Sequence, residues 1–235
     1  NMKSIILSIL IVINYNIYAQ NTDGKSDDAA RITLATFVPQ QIDQMPEAAR
    51  SSLANKLSQI VTQNGLGGKA SNERFIITAK INVISKELTP TAPPMQAVVL
   101  DVTLYIGDGI EGTKFVSVSS EVKGIGESDT KAYISALKNL KTTDSKYKSF
   151  IEKGKVKILE YYNSKCDFIL KEANMLASQN DFEGAIYKLT SVPEVCKECY
   201  DKCMDAVIPI YKQKIDRDCK IKLNEASNLW AANQS

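Results

Sequence analysis

There is no histidine among the 235 residues, and that absence removes a large share of enzyme chemistry. Neither a Ser/His/Asp nor a Cys/His triad can be built without an imidazole to take the nucleophile's proton. A zinc centre would lose its commonest nitrogen ligand and would have to rely on thiolates. Charge of one sign is lacking too: 29 Lys plus Arg face 27 Asp plus Glu, a formal net charge of +2, with the two signs interspersed. A nucleic-acid binder needs a basic stripe, and none is present. No apolar run reaches the roughly 20 residues that span a bilayer. Complete phosphate-binding motifs are missing as well. In Gly65-Leu66-Gly67-Gly68-Lys69-Ala70 the first P-loop glycine would be Gln63 and the hydroxyl position is Ala70. Gly124-Ile125-Gly126 lacks a third glycine, its place being taken by Asp129. Both clusters read as turns, where glycine supplies positive φ.

What is present begins with an export signal. Lys3 is the first charge, an apolar run from Ile9 to Ile13 is extended upstream by Ile5, Ile6 and Leu7, and Ile17-Tyr18-Ala19 puts a small residue before a cut at Gln20. Residues 2–19 therefore read as a cleavable signal peptide, and the mature chain is exported. No cysteine stands at the cut to carry a lipid. About 216 residues remain, enough for one large domain or two small ones, and the pattern supports two.

The first, residues 30–142, reads as a two-layer α+β domain. Ile32, Leu34, Thr36 and Val38 share one face of a strand from Arg31 to Pro39. Leu53, Leu57, Ile60 and Val61 fall at helical spacing between Pro46 and Gln63, with Gly65 as a stop. Three alternating strands follow: Phe75 to Val83, Val98 to Ile106, and Val116 to Val122, with Gly107-Asp108-Gly109 as a turn. A second helix from Ser128 or Asp129 lines up Tyr133, Ala136, Leu137 and Leu140. The order strand, helix, three strands, helix predicts an antiparallel four-stranded sheet with two helices on one face. The stretch from Lys86 to Gln96, with Pro90, Pro93 and Pro94, is expected to be a long loop. Asp27 and Asp28 read as part of a polar, flexible mature amino terminus.

The helix before Arg74-Phe75, with Lys123-Gly124-Ile125-Gly126 leading into Lys131-Ala132-Tyr133-Ile134-Ser135-Ala136-Leu137, resembles the small α+β envelope domain of TolB amino-terminal, FlgT, LpoB and CsgG type. The resemblance covers roughly half the chain, rests on pattern more than on invariant chemistry, and implies an interaction module in the periplasm or at the outer membrane with no catalytic residues. A pore, as the CsgG likeness would suggest, ranks last because no pair of long membrane-type strands is evident.

From 145 to 235 the spacing turns helical. Cys166 to Leu176 can be laid over Cys219 to Leu229 at a shift of 53 residues, with Cys, Leu, Glu, Ala and Leu coincident and Asn180 meeting Asn233. In the first copy Ala173, Leu176, Phe182, Ala185 and Leu189 resemble a tetratricopeptide helical hairpin, the two alanines letting helices approach and Phe182 filling the turn. The usual period is about 34 residues, so a further helix near Glu194 to Lys214 is inserted. Ala226 and Leu229 are the repeat-packing positions of the second copy, which stops short of its hairpin partner and reads as a truncated array.

Five cysteines in an exported chain make disulfides the first expectation, with Cys166, Cys196, Cys199, Cys203 and Cys219 the candidates and Cys166 pairing with one of the middle three. Cys196-Lys197-Glu198-Cys199 is also a C-x-x-C, but no strand precedes it to build a thioredoxin-like site. A metal is disfavoured by the missing histidine, and no cofactor motif is found. The sequence therefore predicts a non-catalytic exported cell-envelope scaffold that binds a protein or peptide. The competing reading is a thiol-disulfide oxidoreductase using Cys196 and Cys199.

Overall fold

The computed structural model describes residues 25–40, 45–67 and 74–233, so the export segment lies outside it. Helix α1 (Lys25–Arg31) precedes strand β1 (Ala35–Thr36), helix α2 (Glu47–Gln63), strands β2 (Phe75–Leu88), β3 (Gln96–Asp108) and β4 (Lys114–Gly126), and helices α3 (Asp129–Lys138), α4 (Ser145–Ser178), α5 (Phe182–Thr190) and α6 (Lys197–Ala232). An α+β domain is followed by helices, as the periodicity predicts.

The sheet order is β1-β2-β3-β4. Its pairing corrects the expectation of a wholly antiparallel sheet. β1 runs parallel to β2, Ala35 opposite Ile76, because the connection between them is the helical crossover α2, and parallel neighbours need such a crossover. It is also only two residues long, α1 having taken Arg31. The amino-terminal reading is corrected as well: Asp28 is buried in α1, with Arg31 at 3.0 Å.

β2, β3 and β4 form two long hairpins of 13 and 14 residues per strand. The expected loop from Lys86 shrinks to seven residues, 89–95, because pairing continues from Glu87 opposite Ala97 to Leu88 opposite Gln96. The strands are thus longer than the alternation suggested. Their outer face carries Lys80, Asp101, Glu121 and Lys123, a wet surface and not the apolar band of a membrane barrel.

The opposite face holds Ile77, Leu100, Val102, Leu104, Ile106 and Val122, all buried. Helix α3 lies so close to β4 that a Cβ at Gly124 would sit 2.2 Å from the Ala136 nitrogen and 2.3 Å from the Ala132 oxygen. These glycines therefore serve helix–strand contact, where the sequence suggested turns. The α3 start is fixed by Ser128, whose hydroxyl accepts the Lys131 N–H. Its carboxyl end is held by Lys56 of α2, whose Nζ donates to the Lys138 and Leu140 carbonyls at 3.2 and 3.1 Å.

A third helix shares this face. The first half of α4 buries Tyr147, Phe150, Ile151 and Ile158 against the sheet, Gly154 passing over Ile106 and Tyr147 OH meeting Ser120 Oγ at 2.8 Å. The first half of α4, at the start of the region of helical spacing, thus packs on the sheet, and one buried cluster runs from the sheet into the helices. Beyond it, α5 folds back against the second half of α4, and α6 packs across both. The turn works through Asn180, with φ at 63°, and Asp181, whose carboxylate accepts the Gly184 N–H at 3.0 Å. No separate helix is inserted: α6 runs unbroken through Pro209 to the second Cys-to-Leu copy.

Candidate functional site

Strand register builds the most densely bonded polar centre of the described residues. Phe75 pairs with Asp108, which puts Arg74, one residue before β2, beside the last residue of β3. Arg74 Nε lies 2.6 Å from Asp108 Oδ2, with the two side chains 6% and 0% exposed. The guanidinium also donates to Tyr162 OH at 2.7 Å, to Glu111 Oε1 at 3.1 Å and to the Ser191 carbonyl. One side chain thus ties together β2, the β3–β4 loop, α4 and the end of α5.

Asp108 is equally committed. Its other oxygen accepts the N–H groups of Ile110 and Glu111 at 2.8 and 2.9 Å, shaping the loop as aspartate turns do, and Tyr162 OH donates to Oδ2. Burial pushes its carboxyl up, but bonds from Tyr162, the Glu111 N–H and Arg74 outweigh burial and hold it below the ordinary range. Burial and the bond to Asp108 push the Tyr162 phenol well above its usual range. Burial works against the charge of Arg74, yet its partners keep it more firmly protonated than usual. Each of these groups keeps one protonation state around neutral pH. That is the behaviour of a structural anchor, since proton transfer needs a group that titrates near the working pH.

Above this anchor opens a cavity of about 280 Å³. Arg74 and Tyr162 form its floor, the exposed rings of Phe168 from α4 and Tyr187 from α5 its walls, and Lys165 and Lys188 its rim. Lys188 is paired with Glu172 at 2.8 Å, and Lys165 with the Tyr161 hydroxyl at 2.6 Å. That size is at the lower end of the roughly 300–1,000 Å³ of small-molecule sites and is enough for one side chain. The sequence reading passed over this centre. The available signal was a charged residue directly before a buried alternating strand, facing an aspartate bracketed by glycines.

Three of the cysteines, Cys166, Cys199 and Cys203, meet between α4 and α6. Cys166 and Cys199 form a disulfide with Cα atoms 5.6 Å apart, and the Cys203 sulfur completes a group of three within 4.8 Å. Cys196 caps α6 and is fully buried; Cys203 is buried and Cys219 exposed. The C-x-x-C is therefore not paired with itself. Burial, and then the charge of Asp28, push the Cys196 thiol up to about 12, with Arg74 opposing, and burial raises Cys203 as well. Neither is the low-pKa, accessible thiolate that exchange requires. Three sulfurs, two of them already bonded to each other, are short of the four ligands of a structural zinc site.

Of the repeat-packing residues, Ala173, Phe182, Ala185 and Leu189 are buried between α4, α5 and α6, and Leu176 packs at the edge. Phe182 lies under the Arg217 guanidinium, 4.9 Å from its charge centre. Ala226 and Leu229 of the second copy are exposed, α5 reaching only the middle of α6.

No known protein family matches this chain, and no curated protein does either. Among solved structures, a proposed lipoprotein of Caulobacter crescentus CB15 is similar over 58% of this chain and 90% of its own, at 11% identity and a TM-score of 0.30. A minor lipoprotein of Acinetobacter baumannii is similar over 52% and 78%, at 17% identity and a TM-score of 0.29. Such scores define neither a fold nor a function for this chain. Among the described residues no helix is long and apolar enough to cross a membrane.

Proposed function

We propose that this chain is a non-catalytic, exported cell-envelope scaffold that binds another protein or peptide in the periplasm or at the outer membrane. The observation that carries the binding half of this reading is the aromatic-walled cavity of Phe168 and Tyr187 standing on the Arg74–Asp108–Tyr162 anchor. Exposed rings on a rigid base are what a peptide side chain docks against, because aromatic contact buries much area at little entropic cost. The export half rests on the signal-like first 19 residues.

An oxidoreductase acting through Cys196 and Cys199 would need the two sulfurs to exchange. Here Cys199 is bridged to Cys166, and the Cys196 thiol is buried and held protonated, so the scaffold reading takes precedence. The test is paired capture from an envelope fraction with the mature chain and its Phe168→Ala/Tyr187→Ala variant. A partner retained by the first and released by the second is expected. Identical capture by both, or turnover of a disulfide substrate, would overturn the proposal.

A further inference from the structure

The second half of α6 carries an apolar stripe that the described residues do not cover. Ile208, Tyr211, Ile215, Cys219, Leu223 and Trp230 recur at spacings of three, four or seven residues, so at 100° per residue they stay within one face of the helix. Ile208 and Trp230 are 70% and 71% exposed, Tyr211, Ile215 and Leu223 are half-exposed or more, and Cys219 is exposed. The face that packs inward lies on the opposite side, where Cys199, Cys203 and Ile210 are buried and Arg217 reaches Phe182 and the Asn180 carbonyl. The stripe thus points away from the rest of the described chain.

Its arrangement is self-complementary. Cys219 is the midpoint: Ile208 and Trp230 lie equally far on either side of it, as do Ile215 and Leu223. The stripe repeats over 11 residues on each side of Cys219, a spacing that keeps its face nearly straight along the helix and spans about 33 Å in all. The charges beside it choose a direction. Asp216 and Lys220 flank one edge, and Lys222 flanks the other with Asp218, which also pairs with Lys214 and Arg217 of its own helix at 3.1 and 2.8 Å. Two copies side by side in parallel would set Asp216 against Asp218, like against like, and leave Lys220 as close to Lys222 as to Asp218. Antiparallel copies set Asp216 against Lys220 and Asp218 against Lys222, and flanking charges of this kind fix orientation in paired helices. A surface that complements itself about a central point is the requirement for a two-fold interface.

We infer that this stripe is the contact surface for a second copy of the same chain, the two α6 helices pairing antiparallel about a two-fold axis at Cys219. Ile208 then packs on Trp230 of the partner subunit, Ile215 on Leu223 of the partner subunit, and the two Cys219 thiols face each other. This surface is separate from the cavity of Phe168 and Tyr187, so either can fail without the other.

The test starts with sedimentation of the mature chain under reducing conditions, where twice the monomer mass is expected. Leu223→Asp should raise the dimer dissociation constant at least about a hundredfold, since the charge is buried twice per dimer. Leu223 is exposed in the monomer, so its fold is spared and the circular dichroism should not change. Lys220→Glu should weaken the dimer, and adding Asp216→Lys should restore it. Direction is read by disulfide trapping in a Cys219→Ser background. Oxidised glutathione takes two electrons and two protons from a thiol pair and leaves as two thiols. Mixed Ile208→Cys and Trp230→Cys chains should cross-link, whereas Ile208→Cys alone should not. A monomer at all concentrations, a dimer indifferent to Leu223→Asp, or cross-linking by Ile208→Cys alone would each overturn the inference.

Discussion

Arg74 and Asp108, 34 residues apart, meet at 2.6 Å with both side chains buried, and Tyr162, Glu111 and the Ser191 carbonyl bond to the same guanidinium. A buried charge that loses its partner keeps its desolvation cost and loses its compensation.

Removing one partner should therefore be costly. Asp108→Ala leaves the guanidinium without its main acceptor and should lower the unfolding free energy by about 3–5 kcal/mol. Urea denaturation followed by circular dichroism measures it; a loss below about 1 kcal/mol would mean the pair is not the anchor.

The pH dependence follows from the same carboxylate. Its folded pKa is depressed below the ordinary 3.8, so its contribution is present above the unfolded value and is lost as pH falls through the folded one. Stability should decline below about pH 4, and Asp108→Asn should be less sensitive to that fall than the parent. Equal acid sensitivity in both proteins would show that other carboxylates govern it.

The disulfide closes a loop with a sequence separation of 33. Constraining the unfolded chain over that length should be worth about 3–4 kcal/mol, which Cys166→Ser with Cys199→Ser would remove. In the native oxidised protein a thiol reagent should label Cys196 and Cys203 only on unfolding, because both are buried with raised pKa values. Rapid labelling of Cys196 at neutral pH would reopen the redox reading.

Gly124 and Gly154 make a matched comparison. A methyl at Gly124 meets backbone of α3 at 2.2 Å, whereas at Gly154 it meets the flexible end of Ile106 at 2.6 Å. Gly124→Ala should destabilise by about 3 kcal/mol or more and Gly154→Ala by clearly less, because side-chain ends move where backbone cannot. Thermal melts of the two variants decide it, and equal losses would contradict the close α3–β4 approach.

Much of the architecture was legible along the chain. Alternation in Phe75 to Val83 and Val98 to Ile106 identified strands with one buried face, since side chains on a strand change sides at every residue. Helical spacing in Leu53, Leu57 and Ile60 located α2, and Ser128 marked the start of α3. The strand ends were less visible, because Lys86 and Glu87 look like loop residues while their backbone pairs with Val98 and Ala97. Likewise Gly124 and Gly126 looked like turn residues, and only the position of α3 gives them their use.

The sequence by itself determined the exclusions and the periods: no imidazole chemistry, no basic stripe, an α+β pattern giving way to helices, and five thiols. Those are properties of residue type and local spacing. Which of the cysteines pair, that β1 runs parallel to β2, that α4 belongs to both the sheet and the helices, and that Arg74 finds Asp108 were decided only by tertiary structure. Each depends on contacts between residues far apart along the chain, and neither composition nor a period of two or 3.6 residues carries information about which distant partner a residue will meet.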